Sequence, residues 1–138
     1  WSSDVCSSDL NDPQVSEAIL ALAAWCEQKG IAFIHLAEAD WDDAPQIPAH
    51  FRQSLRETFS GTLIVAGNYD LAKAEEILAA GYADLIAFGR PFIANPDLPH
   101  RLAHRLPLAQ VRDPATLFGG TATGYTDYST YTQQEEIL

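Results

Sequence analysis

The segments Gly61-Thr-Leu-Ile-Val-Ala-Gly-Asn-Tyr-Asp70 and Ala83-Asp-Leu-Ile-Ala-Phe-Gly-Arg-Pro91 each contain a short apolar run that ends at a glycine. These runs are too short for helices, whereas Leu71–Ala80 between them has apolar residues at helical spacing. The pattern therefore predicts a βαβ unit with two buried parallel strands. In such units the loops after the carboxyl ends of the strands carry the ligand, and here they contain Gly67 and Gly89.

A phosphate site is one interpretation of these two loops. Gly67 and Gly89 would let the main chain approach an anion, and Arg90 offers a permanently charged guanidinium with several donors. In (β/α)8 barrels the loops after the seventh and eighth strands often bind a phosphate group. From the spacing alone, ordinary turn chemistry at the glycines and a surface ion pair at Arg90 stay open as the alternative.

Composition limits the class of protein. The chain has 138 residues, is 47% hydrophobic and carries a formal net charge of −11, which fits one globular domain without a nucleic-acid or anionic-membrane partner. No apolar run reaches membrane-spanning length and no signal-peptide pattern is present, so we expect a cytoplasmic location. Cys6 and Cys26 lack metal-ligand spacing and are expected to be free thiols.

Secondary structure is predicted to alternate between helices and strands after a leader. Residues 1–10 repeat Ser-Ser-Asp without an apolar face, so we predict a foreign or artefactual leader, a domain at 11–138 and an ordered tail at 107–138. A tight turn is predicted at Pro91–Pro96 and a last helix around Leu98–Leu106. The other predicted helices are Pro13–Gly30, Ala49–Phe59 and Leu71–Ala80, and the predicted strands are Ile31–Leu36, Leu63–Val65 and Tyr82–Phe88.

The predicted sheet is too small to be a complete barrel. Three parallel strands cannot close on themselves, and a (β/α)8 barrel takes roughly 250 residues. The first element after the leader is a helix, which indicates part of a larger architecture. A doubly wound dinucleotide fold is disfavoured, because no Gly-x-Gly-x-x-Gly pattern follows a predicted strand.

Four segments resemble the C-terminal part of the Old Yellow Enzyme family: Ile34-His-Leu-Ala-Glu-Ala-Asp-Trp41, Val65-Ala-Gly-Asn-Tyr69, Ala87-Phe-Gly-Arg-Pro-Phe-Ile-Ala-Asn-Pro-Asp-Leu98 and Gly124-Tyr-Thr-Asp-Tyr128. The likeness is greatest to bacterial N-ethylmaleimide reductases and covers about residues 11–131. It implies an α/β fold that is the C-terminal part of a (β/α)8 TIM barrel, strands six to eight with their helices, and hence an incomplete barrel. It also implies an FMN-dependent oxidoreductase that takes hydride from NADPH or NADH and reduces activated alkenes.

The same resemblance implies roles for individual residues. The family's main catalytic residues belong to strands one to five, so no catalytic residue is assigned here and the piece alone is expected to be inactive. Tyr125 matches a tyrosine that lines the substrate pocket, whereas Phe118 stands where a tyrosine is common. The residues that match the family's FMN phosphate site are Ala66, Gly67, Asn68, Gly89 and Arg90.

Metal sites are weaker interpretations, and we predict none. His100 and His104 lack a third ligand and fit a surface helix, and His35 within a strand fits a core imidazole. A Ca²⁺ loop would need a glycine that the acidic segment after the first strand lacks, so a solvated loop is favoured. That segment contributes Glu38, Asp40, Asp42 and Asp43.

Two other functions stay open. One is an autonomous, non-catalytic half-barrel that binds a phosphorylated ligand or assembles with a copy of itself. Separately, Ile31–Leu36 and Tyr82–Phe88 would be exposed apolar edges, so an isolated copy of the chain is expected to associate or aggregate. The other, an aldolase-like lyase, would need a lysine on a strand, whereas Lys29 and Lys73 fall at helix positions.

Overall fold

The computed structural model of the protein describes residues 13–38, 46–117 and 121–132. The chain divides into two compact units, residues 1–87 and residues 88–138. The elements in chain order are α1 (Pro13–Gln28), β1 (Phe33–Ala37), α2 (Ala49–Thr58), β2 (Thr62–Ala66), α3 (Leu71–Ala79), β3 (Leu85–Ala87), α4 (Arg90–Ala94), α5 (Leu98–Ala103) and a 3-10 helix (Pro114–Leu117).

The first unit is built on a parallel sheet of three strands in the order β1-β2-β3. β1 pairs with β2 from Phe33 opposite Thr62 to Ala37 opposite Ala66. β2 and β3 are also parallel, and α3 connects them. The predicted βαβ unit is therefore confirmed.

The core of this unit lies on the helix-covered face of the sheet. One buried cluster contains Ala23 of α1, Phe51 and Leu55 of α2, Phe59 directly after α2, and Leu63 of β2. The spacing of the three α2 and post-α2 residues places them on one helix face, as predicted. Each large apolar side chain buried in this way contributes about 1.5–3 kcal/mol to folding.

The opposite face of the sheet is exposed. The pairing register places Phe33, His35, Ile64 and Leu85 on that face, and Phe33 and Leu85 keep 53% and 54% of their surface exposed. The prediction that the third strand is buried is therefore wrong for this face. His35 is exposed as well, so the interpretation as a core imidazole is also wrong. The reason is that crossover helices between these strands lie on one side of a sheet.

Strands one and three begin later than the sequence predicted. Gly30 and Gly81 follow helices with φ of 64° and 72°, the left-handed conformation that glycine adopts at helix ends. The N–H groups of Ile31 and Tyr82 then donate back to carbonyls of the preceding helices, over 3.0 and 3.1 Å. These residues close helices and are therefore not part of the sheet.

The second unit begins with two short helices. The prediction of a tight turn at Pro91–Pro96 is wrong, because Arg90–Ala94 forms α4 with its proline in the first turn, where a missing N–H is tolerated. The last predicted helix is confirmed, although α5 ends at Ala103. None of the described helices is long and apolar enough to cross a membrane.

The segment after α5 is attached to that helix by Arg101, whose surface is only 1% exposed. Its guanidinium donates to the carboxylate of Asp97 over 2.8 Å, to the Pro107 carbonyl over 3.0 Å and to the Ser129 carbonyl over 3.2 Å. The Tyr131 N–H donates to the second oxygen of Asp97 over 2.8 Å. These bonds attach Pro107, Ser129 and Tyr131 of the predicted tail to α5 and the residue before it.

Candidate functional site

The predicted phosphate residues of the first unit lie at the carboxyl end of β2. Ala66 is its last residue, and Gly67–Asp70 form the β2–α3 loop. Asn68 is exposed, whereas Asp70 caps α3 by accepting a hydrogen bond from the Lys73 N–H over 2.8 Å.

Gly67 packs closely against the residue that follows β1. A Cβ atom at position 67 would lie 3.0 Å from the Cβ of Glu38 and 3.6 Å from the ring of Tyr69. A larger residue would have to displace Glu38, so the close packing favours glycine here.

Three side chains meet beside this loop, and we call them the Glu38 cluster: Glu38, Arg52 of α2 and Tyr69. The guanidinium of Arg52 donates to both oxygens of Glu38, over 3.0 and 2.7 Å. The Tyr69 hydroxyl donates to one of the same oxygens over 2.5 Å. Arg52 is only 6% exposed, so a two-point ion pair compensates its buried charge.

The cluster keeps its donors protonated. Burial raises the pKa of the Tyr69 hydroxyl well above its usual range, and the bond to the Glu38 carboxylate raises it further. Burial alone would lower the pKa of Arg52, but the bonds and charge of Glu38 outweigh it, and the pKa is raised. Tyr69 and Arg52 therefore remain hydrogen-bond donors to Glu38 at neutral pH.

A pocket of about 260 Å³ lies next to the cluster. Its volume is below the roughly 300–1,000 Å³ that is usual for sites of drug-sized ligands, so it is too small to enclose a flavin. Asn68, Lys73 and Glu76 add polar groups to its wall. The remaining lining residues are Glu38, Gln46, Ile47, Ala49, Arg52, Tyr69, Ile77 and Tyr82.

The other predicted site residues belong to the second unit. Gly89 directly precedes α4, and a Cβ atom there would meet no heavy atom within 4 Å. Arg90 is the exposed first residue of α4. Tyr125 is 47% exposed and follows Gly124, whose φ is 73°. A joint phosphate site of the two units and a substrate role for Tyr125 stay predictions.

The hydrogen-bond donors in the segments that follow β2 and β3 are of the kind that binds an anionic group. Gly89 has open space where a side chain would stand, and Asn68 and Arg90 are exposed polar side chains that can donate hydrogen bonds. Main-chain N–H groups and a guanidinium are the donors that phosphate groups accept in proteins. The residues present therefore fit the phosphate of the predicted cofactor, FMN.

The structure decides between the alternative interpretations of the acidic segment and of the histidine pair. The prediction that Glu38 belongs to a solvated acidic loop is wrong, because it is 10% exposed and paired with Arg52. His100 and His104 are exposed on and just after α5, with ring centres 4.2 Å apart, which confirms the surface-helix interpretation. Within the described ranges no three His, Cys, Asp or Glu side chains form a group that could hold a metal ion. The predicted residues that lie outside the described ranges are Cys6, Asp40, Asp42, Asp43 and Phe118.

Arg52 and Tyr69 were not predicted from the sequence as site residues. A signal for Arg52 exists, because it directly follows the core residue Phe51 and precedes Leu55 by three positions on the buried side of α2. A charged residue in such a position requires a buried partner of opposite charge. The identity of that partner depends on how β1 and α2 pack.

Comparison with known proteins gives consistent matches. The profile of the family described as NADH:flavin oxidoreductase / NADH oxidase matches residues 5–109. The chain is 33% identical over 135 residues to putative 12-oxophytodienoate reductase 10 of Oryza sativa subsp. japonica, covering 93% of this chain and 42% of that protein. It spans less than half the length of the curated relatives it matches.

Solved structures give the same result. Morphinone reductase superposes with a TM-score of 0.80 at 41% identity, over 86% of this chain and 32% of that one. Morphinone reductase in complex with tetrahydroNAD superposes with a TM-score of 0.74 at 40% identity, over 86% of this chain and 31% of that one. The described parallel sheet and its helices are thus similar to about a third of a larger structure.

Proposed function

Because the chain belongs to the NADH:flavin oxidoreductase / NADH oxidase family, we propose that it supplies the phosphate end of an FMN site in a flavin-dependent NAD(P)H oxidoreductase. The observation that carries this proposal is the family match over residues 5–109, which contains both glycine loops. The exposure of Asn68 and the open space at Gly89 support it, because main-chain N–H groups at such positions can reach an anion.

The architecture of that enzyme is proposed to be a (β/α)8 barrel in which β1, β2 and β3 are strands six to eight. The parallel pairing supports this, as does the exposed sheet face with Phe33 and Leu85, because the interior of a small barrel is filled by side chains from every strand. Side chains of the first five strands would fill the rest of the barrel interior, next to this exposed face. The whole barrel is the proposed catalyst, and this chain alone is proposed to be inactive.

Each predicted site residue has a defined role in the proposal. The main chain from Ala66 to Asn68 and at Gly89 would donate N–H groups to the phosphate, and Arg90 would add a permanent positive charge. Tyr125 would lie on the substrate side of the flavin. The chemistry that FMN supplies when bound is hydride transfer.

The substrates are proposed from the relatives. The matched relatives include proteins named as 12-oxophytodienoate reductase and as morphinone reductase, the latter also in complex with tetrahydroNAD. This supports a nicotinamide donor, NADPH or NADH, and an activated alkene as acceptor. A cytoplasmic location stays a prediction from composition.

Comparison of FMN with riboflavin tests the proposal, because the two flavins differ only in the phosphate group. We would titrate each flavin with the full chain and follow flavin fluorescence anisotropy at equilibrium. FMN is expected to bind at least about tenfold more tightly, since a charged hydrogen bond is worth about 1.5–3 kcal/mol. Inorganic phosphate should compete with FMN. Equal affinities for the two flavins, or no binding of FMN, would contradict the proposal.

A further inference from the structure

We propose that the Glu38 cluster positions the β2–α3 loop, so that the main chain of Gly67 and Asn68 is held in place for a phosphate group. This inference rests on the proposed FMN site and adds to it three positioning residues that do not themselves touch the ligand. They are Glu38, Arg52 and Tyr69.

The first observation is that one residue holds both ends of the phosphate-binding segment. The Glu38 N–H donates to the Ala66 carbonyl over 2.7 Å, which extends the β1–β2 pairing by one bond. The Glu38 carboxylate accepts from the Tyr69 hydroxyl over 2.5 Å. Gly67 and Asn68 lie between these two attachments, and Gly67 also packs directly on Glu38. Their main chain is therefore constrained from both sides.

The second observation is that Glu38 itself is immobilised. Arg52 binds both of its oxygens, and the side chains of Arg52 and Glu38 are only 7% and 10% exposed. A planar two-point bond fixes the orientation of the carboxylate as well as its position. Arg52 in turn lies on α2, beside the buried Phe51 and Leu55. The loop is thus connected through Glu38 to a helix of the core.

The third observation is that Glu38 is held by a buried ion pair with Arg52. A buried ion pair is rarely more stabilising than apolar side chains of the same volume, because both charges lose their hydration. Its best-attested advantage is that it fixes one geometry among several. Tyr69 adds a rigid side chain, and its raised pKa keeps the hydroxyl a donor to Glu38. These properties suit a positioning function, since a preorganised loop loses less conformational entropy when it binds its ligand.

The geometry also separates positioning residues from ligand-binding residues. Both terminal nitrogens of Arg52 donate to Glu38, so this buried arginine is already engaged. Asn68, within the loop, is exposed. In the inference a phosphate group therefore interacts with the main chain of Gly67 and Asn68 and not with the paired side chains of the cluster.

Two variants of the full chain test the inference. Glu38→Gln removes the charge that Arg52 and Tyr69 share, and Tyr69→Phe removes only the hydroxyl that holds the end of the loop. The control is Glu76→Gln, which makes the same change of charge in the wall of the same pocket. Binding of FMN and riboflavin is measured by anisotropy, and amide hydrogen exchange is measured by mass spectrometry for peptides that contain residues 66–70.

We expect Glu38→Gln to lower the affinity for FMN about tenfold and Tyr69→Phe to lower it several-fold, with little change for riboflavin. Exchange at residues 66–70 should become faster in both variants, while peptides from α1 and α5 exchange as before. Glu76→Gln should behave as the original chain.

Failure of the inference is distinguishable from failure of the proposed function. If the original chain prefers FMN over riboflavin but Glu38→Gln and Tyr69→Phe keep the same preference and the same exchange, the positioning role is overturned. If the original chain shows no preference for FMN, the phosphate site is wrong. The exchange measurement then still decides whether the cluster orders the loop. Faster exchange in peptides throughout both variants would mean general destabilisation and would also overturn a local positioning role.

Discussion

The side chain of Asn95 hydrogen-bonds the main chain of Ala109 in both directions. Its Nδ2 donates to the Ala109 carbonyl over 3.0 Å, and its Oδ1 accepts from the Ala109 N–H over 2.7 Å. Nδ2 also donates to the Pro91 carbonyl over 2.8 Å, and Asn95 is completely buried. One amide therefore connects the end of α4 with the segment after α5.

Replacement of Asn95 by alanine should destabilise the second unit. The variant loses three hydrogen bonds and leaves the partly buried carbonyl and N–H of Ala109 without this partner, and a fully buried group left unsatisfied costs about 1–3 kcal/mol. We expect a loss of about 2–4 kcal/mol in the free energy of unfolding, measured by urea denaturation of the full chain. Gln110→Ala, an exposed amide removed from the adjacent position, is the control and should change stability by less than about 0.5 kcal/mol. Equal midpoints for both variants would contradict the assigned role of Asn95.

Arg90→Ala tests the charge at the proposed phosphate site. Loss of a charged hydrogen-bond donor should weaken FMN binding by roughly ten- to a hundredfold, while riboflavin binding stays the same. Arg112→Ala removes the same charge from an exposed arginine paired with Asp127 and serves as the control. Flavin anisotropy titrations measure both. An FMN affinity that is unchanged in Arg90→Ala, or reduced equally in both variants, would argue against a specific phosphate contact.

The parts of the fold that follow from periodicity were predictable. Phe51 and Leu55 recur at helical spacing, and the apolar runs of β2 and β3 are continuous and too short for helices. Strand boundaries were less predictable, because a residue such as Tyr82 has strong β-propensity but donates its N–H to close α3.

Pairings between distant residues could not be predicted in the same way. Glu38 and Arg52 are separated by fourteen positions, as are Asn95 and Ala109. Periodicity indicates which face of an element is buried, but it carries no information about which polar group of another element lies opposite. Glu38 therefore resembled a member of a solvated acidic segment until the packing of α2 was known.

Two aspartates should make the free energy of unfolding depend on pH, because their pKa values are lowered in the folded chain. The bond from the Leu63 N–H holds the pKa of Asp84 below its usual value, and Arg56 adds to the effect. For Asp97, burial would raise the pKa, but the bonds from Tyr131 and Arg101 together lower it.

A carboxylate whose pKa is lower in the folded state stabilises the fold at pH above its unfolded pKa, about 3.9, and this contribution is lost as the pH falls through the folded pKa. Stability should therefore decrease below about pH 4. Asp84→Asn should reduce that decrease by up to about 1 kcal/mol, because the side chain is 49% exposed. The measurement is a series of urea unfolding curves between neutral and acidic pH, with Glu76→Gln as a control for removal of one carboxylate. If the free energy of unfolding of Asp84→Asn depends on pH as steeply as that of the original chain, the lowered pKa assigned to Asp84 is contradicted.

The exposed sheet face leads to the last prediction, which concerns the full chain in isolation. Phe33 and Leu85 expose more than half of their surface on one face, and β1 and β3 both have an unpaired edge within the described sheet. Apolar faces and free strand edges of this kind promote association. We expect the chain to form oligomers or aggregates whose mass, measured by light scattering, increases with concentration.

Phe33→Lys combined with Leu85→Lys should reduce that association. The matched control is Leu22→Lys, because Leu22 is 59% exposed but lies on α1 and not on the sheet.

In the proposed function the ring of FMN is bound by strands that this chain does not include, so phosphate contacts exposed to water and salt should not retain the cofactor during gel filtration. We therefore expect a colourless product that shows no NADPH-dependent reduction of N-ethylmaleimide or cyclohexenone. A yellow, monomeric and active preparation would contradict both the proposed barrel and the assignment of catalysis to its other strands.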